Sequence, residues 1–338
     1  MCFKAIYFKL GLIMMVATLL EAVHPAIIKE EFIFENPPFN SCHASTITET
    51  QDGSLLCAYF AGTDEGASDV AIWLSSQGDT LWLHPRKVAE CEGAACWNPV
   101  LFTMPSGEIL LFYKGGRNPR EWSGFLKRSS SQGRKWTDAE LLPAGVTGPV
   151  RSKPLLLSNG TLLCGSSAES WRRWGCWIDI MTDGGQSWRK STPINDPRQL
   201  FGVIQPSLFY GQNGEIKMVM RSHQIGFVCM ASSQDQGQTW SDAKSTELPN
   251  PNAAVEALNL ADGRILLVFN DSKTKRYPLS LSLSKDGGES WERSVVLEDQ
   301  KGEYSYPAAI QTRDGLVHVT YTYNRELIKH VVLDPAKL

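Results

Sequence analysis

Along this 338-residue chain, six short segments bring polar side chains against proline or against one another. They are Ser41-Cys42-His43-Ala44-Ser45, Trp97-Asn98-Pro99, Arg151-Ser152-Lys153-Pro154, Gln205-Pro206-Ser207, Asn250-Pro251-Asn252 with Glu256, and Glu303-Tyr304-Ser305-Tyr306-Pro307. His43 is of the type that titrates near neutrality, which suits general acid or base work. Lys153 is a point charge, and Arg221 and Arg276 are planar forks; together they suit a carboxylate or a sulfate. Glu65, Asp69, Lys114, Glu169, His223, Asn270 and Arg325 lie on the segments that follow these six. Each residue also has a plain structural alternative: His43 as a satisfied core histidine, the tyrosines as axial packing, Glu256 as a solvated turn residue.

The elements that must position these groups announce themselves by repetition. Every segment precedes a turn dipeptide and an apolar run: Asp52-Gly53, Ser106-Gly107, Asn159-Gly160, Asn213-Gly214, Asp262-Gly263 and Asp314-Gly315. Such pairs supply positive φ at a hairpin, and the β-branched and aromatic runs after them read as strands. Trp82, Trp136, Trp188, Trp240 and Trp291 recur at intervals of 54, 52, 52 and 51 residues. A fixed period near fifty marks an array of one supersecondary unit. Around two of these tryptophans the pattern is S-x-D-x-G-x-x-W, at Ser233–Trp240 and Ser284–Trp291. Asp in such a turn accepts from turn N–H groups, Gly takes the positive φ and Trp packs back. Because the pattern recurs, Asp235 and Asp286 read as turn fasteners rather than as a site. Six units of about four strands predict an all-β fold, a six-bladed β-propeller over residues 27–338, with the N-terminal strand completing the last blade. In a propeller the innermost strands meet at the axis, and their ends are where the polar segments converge.

Composition narrows the function. A formal net charge of −3 and a 20% charged share argue against nucleic acid or an anionic membrane as partner. Lys4 and Lys9 precede the apolar run LGLIMMVATLL, which predicts a secretory signal peptide over residues 1–25 and a secreted or periplasmic protein. Of the cysteines, Cys57, Cys164 and Cys229 fall in apolar runs and read as buried. Cys91 and Cys96 flank a short loop and are the candidate disulfide in an oxidising compartment. Asn159 and Asn270 begin N-x-S/T sequons.

Most of residues 36–338 resembles the sialidase (neuraminidase) superfamily of Asp-box, or BNR-repeat, proteins, the exo-α-sialidase-like group. The stretches that carry the resemblance are SCHASTI, CWNPVLF, GPVRSKPLLL, IQPSL, LPNPN and EYSYPAAIQTRDGLVHVTYTY. The resemblance implies a substrate carboxylate held by three arginines, a Tyr nucleophile paired with Glu, and an Asp acid/base. Carried over, Tyr304 is the nucleophile, Glu256 its partner, and Asp69 (or Asp64) the acid/base. A neutral Tyr keeps a carboxylate nucleophile away from the sugar's own carboxylate. The arginine expected in the first blade is replaced by Cys42-His43, and Asn270 stands where another is expected. Arg221 and Arg276 then supply cations from neighbouring positions.

The expectation is an exo-glycoside hydrolase for a terminal acidic sugar of a glycan or polysaccharide. Tyr304, Glu256, Asp69 and His43 are its catalytic groups, and Arg221, Arg276, Lys153, Glu65, Asn98, Gln205 and Glu169 bind substrate. No cofactor or metal is called for, and a monomer is expected. Two competitors stand beside it: a polysaccharide or oligosaccharide lyase, or a non-sialic glycosidase, using His43 and Tyr304 as a proton-transfer pair, and a glycan-binding propeller without catalysis.

Overall fold

In a computed structural model, residues 24–78, 81–197 and 202–338 are described. The leader expected over residues 1–25 lies outside them but for His24 and Pro25. The glycines of the six turn dipeptides sit at φ between 77° and 90°, as their lack of a side chain permits. Each joins the first and second strands of a four-stranded antiparallel sheet, and six such sheets form a six-bladed β-propeller. The first strands are Ser41–Glu49, Ala95–Thr103, Leu155–Leu156, Gly202–Tyr210, Glu256–Asn259 and Tyr304–Gln311. The last blade contains Tyr304–Gln311, Val317–Tyr323 and Leu327–Leu333, and its fourth strand is Ile27–Phe32, antiparallel to Leu327–Leu333. The N-terminal strand therefore closes the ring, as expected, and leaves no open edge there.

The blades pack face to face through apolar layers. Leu56, Ala58 and Phe60 of the first blade share a core with Leu101, Leu111 and Tyr113 of the second. Val268 and Leu281 of the fifth share one with Val319 and Tyr321 of the sixth. Each fully buried Phe or Leu contributes about 1.5–3 kcal/mol. At the outer edge, the Ser233 hydroxyl donates to Asp235 (2.8 Å) and accepts from Gly237 N–H (2.9 Å), and Asp235 accepts the N–H of Gln238 and Thr239. Ser284 and Asp286 repeat this around Gly288 and Ser290. In the second blade Ser131 replaces Asp and still accepts Lys135 N–H, while Ser129 holds Gly133 N–H.

At the inner edge a second device recurs. The pairing of first and second strands slips by one extra residue between His43 and Thr46, Trp97 and Val100, Ile204 and Ser207, and Ser305 and Ala308. Within each slip one residue has positive φ: Ala44 (56°), Asn98 (35°), Gln205 (55°) and Tyr306 (55°). These are β-bulges, which break the two-residue alternation of a strand and re-aim a side chain.

Candidate active site

The bulges set the site. Tyr306, turned by its left-handed backbone, presents a hydroxyl that accepts from Arg221 Nη1 (2.7 Å) and Gln205 Nε2 (3.3 Å). The guanidinium carbons of Arg151, Arg221 and Arg276 each stand 5.8 Å from the Tyr306 ring centre. His43 lies against the same ring, with centroids 4.1 Å apart. Its Nδ1 is 2.9 Å from the Thr322 hydroxyl, and its buried Nε2 has no partner. Burial first, then the positive charges of Arg325, Arg276, Arg221 and Arg151, hold its pKa well below the usual value. His43 is therefore neutral at pH 7, and the same burial and guanidinium charges oppose its taking up a proton.

The four arginines differ in what neutralises them. Arg151 Nη1 is 2.6 Å from Glu256, both fully buried. Burial raises the Glu256 carboxyl while Arg151 and Lys153 oppose it, and the guanidinium keeps its proton. Arg276 and Arg325 share Glu303 at 2.7 and 3.0 Å, and Arg325 also binds Glu65. Against the cost of burial, Arg325 and Arg276 hold Glu303 below the usual carboxylate range. Arg221 bonds only neutral oxygens: Asn252 Oδ1 (2.6 Å), Gln205 Oε1 (3.3 Å) and the Tyr306 hydroxyl. Of the four, it alone has no carboxylate hydrogen-bonded to it among the described residues. An incoming anion meets at Arg221 a guanidinium whose hydrogen-bond partners are neutral.

The sequence profile of the BNR repeat-like domain family matches residues 53–319. The chain belongs to that family. A curated sialidase from Bacteroides fragilis is 22% identical to this BNR-repeat protein over 237 residues, 63% of this chain and 41% of that one. The chain thus spans well under half the length of that relative. Among solved structures, a protein of unknown function from Dyadobacter fermentans is 18% identical with a TM-score of 0.77, covering 92% of this chain and 99% of its own. A Hadza microbial sialidase gives 17%, 0.74, 88% and 66%. A mutant of the NanB sialidase from Streptococcus pneumoniae gives 14%, 0.75, 91% and 71%. Together these make the chain a sialidase-like protein of the BNR superfamily.

Within this BNR-repeat site, several expected residues take other places. Tyr304 does not join the cluster. Its ring packs on Tyr323 at 5.1 Å in an apolar core, and burial and Tyr323 push its pKa up to about 12. The bulge after Ser305 turns Tyr306, not Tyr304, to the axis. Glu256 is committed to Arg151 rather than to either tyrosine. Asp69 accepts from the Thr63 N–H (3.0 Å) and hydroxyl (2.7 Å), closing its own loop, and Asp64 accepts Glu65 N–H (2.8 Å). Lys153 donates to Leu101 O (3.0 Å) and Thr46 Oγ1 (3.4 Å), and burial lowers its pKa to about 8. Asn98 presents its carbonyl to the buried Lys114, whose pKa burial lowers to about 7. Glu169 stands at the rim, its carboxyl raised by burial against the pull of Arg221. Arg221, Arg276, Gln205 and His43 do meet, around Tyr306. Arg325 reaches the first-blade corner from the last blade, its carbonyl accepting Cys42 N–H at 2.8 Å. One signal could have chosen Tyr306: Asn98, Gln205 and Tyr306 each directly precede the proline of their segment, and each is the residue at positive φ.

Two other expectations change. Asn270 is fully buried with Nδ2 on Tyr304 O (2.8 Å), so only Asn159 of the two sequons is exposed. Cys91 and Cys96 are free thiols with sulfurs 3.3 Å apart.

Proposed function

We propose that this protein is a secreted exo-glycosidase that releases a terminal acidic sugar, a sialic acid or a uronate, from glycans. The observation that supports this most is the Tyr306 hydroxyl on Arg221, ringed by three guanidiniums. The sugar carboxylate would bind Arg221, with Arg276 and Arg151 flanking it. The Tyr306 oxygen, held by Arg221, would attack the anomeric carbon as the glycosidic C–O bond breaks, and its proton would pass to water. The leaving oxygen would take up a proton from water, and a second water would then release the sugar from Tyr306. The leader read from the sequence supports secretion.

A panel of fluorogenic sialosides and uronosides, with products weighed by mass spectrometry, tests this. Release with incorporation of water is expected, and Tyr306→Phe should abolish it. Full activity in Tyr306→Phe would remove the nucleophile, and an unsaturated product would replace hydrolysis with elimination.

A further inference from the structure

The thiols of Cys91 and Cys96 stand outside the axial cluster, beneath a loop that reaches it. Residues 91–94 form a tight turn, in which Ala94 N–H donates to Cys91 O (3.3 Å) and Gly93 takes φ 71°. The turn carries Cys91 back over the strand Ala95–Thr103, so that Cys96 Sγ donates to Cys91 Sγ at 3.3 Å. Cys96 pairs across the sheet with Gly115, and a β-carbon at Gly115 would meet the Cys91 sulfur at 2.5 Å. Glycine at that position leaves the room the sulfur occupies. Cys42, Cys57, Cys96, Cys164, Cys176 and Cys229 are buried, and Cys91 alone of the seven described cysteines is partly exposed. The hydrogen bond from Cys96 lowers the Cys91 thiol against the cost of burial, and the same bond, together with burial, raises Cys96. Cys91 is therefore the thiol that becomes an attacking thiolate, and Cys96 the one that follows it.

The loop above the pair is residues 63–70. Its last carbonyl, Val70 O, accepts Cys96 N–H at 2.9 Å. Its middle rests on Trp97, the neighbour of Cys96: a β-carbon at Gly66 would stand 3.3 Å from the indole ring. From the same loop Glu65 reaches Arg325, which shares Glu303 with Arg276. We propose that Cys91 and Cys96 are a reversible redox pair that clamps this loop, and with it the Glu65–Arg325 corner of the rim, by exchange with a small-molecule disulfide. The inference goes beyond the glycosidase reading and does not depend on it. The Cys91 thiolate attacks one sulfur of the small disulfide, whose S–S bond breaks and whose other half leaves as a thiolate. The Cys96 sulfur then attacks the Cys91 sulfur, and the second small thiolate leaves. The protons given up by Cys91 and Cys96 end on the two small thiols. Two protein thiols are oxidised, one small disulfide is reduced, and an excess of small thiol runs the exchange backwards. Four residues lie between the cysteines, so closing the bond removes little chain entropy and acts on its surroundings rather than on global stability.

The test is a redox titration of the full chain under native conditions, in mixtures of oxidised and reduced glutathione, quenched in acid, alkylated and mapped by mass spectrometry. In oxidised glutathione the peptide that carries Cys91 and Cys96 should lose two hydrogens, and reduced glutathione should restore them. Cys96→Ser should hold glutathione on Cys91, and Cys91→Ser should leave Cys96 unmodified. Should Cys96→Ser not fold, the order of alkylation in the native chain, Cys91 before Cys96, makes the same assignment. Hydrogen exchange of the 63–70 amides should slow several-fold on oxidation while the melting temperature changes little, and Cys91→Ser should abolish that response. No cross-link in oxidised glutathione, a cross-link to another cysteine, Cys96 reacting first, or loop exchange that oxidation leaves unchanged overturns the proposal.

Discussion

The outer turns and the inner rim of this propeller are built from opposite materials. At the outer edge the same residues serve blade after blade, and the bonds that close each Ser-Asp turn span at most four positions, as from Asp235 to Thr239. At the inner rim each blade contributes a different side chain, and the bonds join residues far apart in sequence: 85 positions from Arg221 to Tyr306, 105 from Arg151 to Glu256, 260 from Glu65 to Arg325. Repetition holds the shape, and departure from repetition makes the site. The two regions should therefore respond differently to substitution.

The largest effect is expected at Tyr306. Tyr306→Phe should lower kcat on the best panel substrate by about 10³-fold or more, or about 4 kcal/mol, without lowering the melting temperature. Tyr304→Phe, two residues away, should leave kcat within a few-fold. Reversed results would exchange their roles. Next is Glu256→Gln, which strips a buried guanidinium of its counter-charge and should cost about 3–5 kcal/mol in denaturant unfolding. A stable variant with lost kcat would instead make Glu256 catalytic.

Arg221→Ala should lower kcat/KM by about 10²-fold, close to 2.7 kcal/mol, with little change in stability. The loss should be smaller for a substrate whose carboxylate is esterified, because that charge is what Arg221 answers.

The smallest effect is expected at the outer turn. Asp235→Ala should cost about 1 kcal/mol of stability and leave kcat/KM unchanged. Turn N–H and hydroxyl donors, Thr239 foremost, overcome burial and lower the Asp235 carboxyl to about 2. A depressed folded-state pKa stabilises above the unfolded value near 4, and that contribution is lost as pH falls towards 2. The stability gap between native protein and Asp235→Ala should therefore be constant from pH 5 to 7 and close between about pH 4 and 2. A change in kcat/KM would end the separation of outer turn from rim.

How far the sequence was legible follows the same division. Gly53 and Asp235 act through their immediate neighbours, so their types and spacing show what they do. The number of blades and the closing strand Ile27–Phe32 follow from counting. Arg221, Arg276, Gln205 and His43 could be placed near the axis because each lies on a polar segment that precedes a turn dipeptide or on the segment that follows it. Tyr304 and Tyr306 lie in one polar segment, and membership of that segment did not separate them. Both lie in the same strand, and plain alternation would put them on the same face. The extra residue in the ladder, with Tyr306 at φ 55°, separates them.

The sequence by itself determined the repeat, the turns, the all-β architecture and the supply of cations and titratable groups near the axis. These depend on local backbone preference and on apolar periodicity, which act over a few residues. Tertiary structure decided which groups meet. It placed Glu256 against Arg151, Glu303 between Arg276 and Arg325, and left Arg221 with neutral partners only. Coulomb energies depend on separations of a few ångströms and on burial, and neither quantity exists until six blades have closed around one axis.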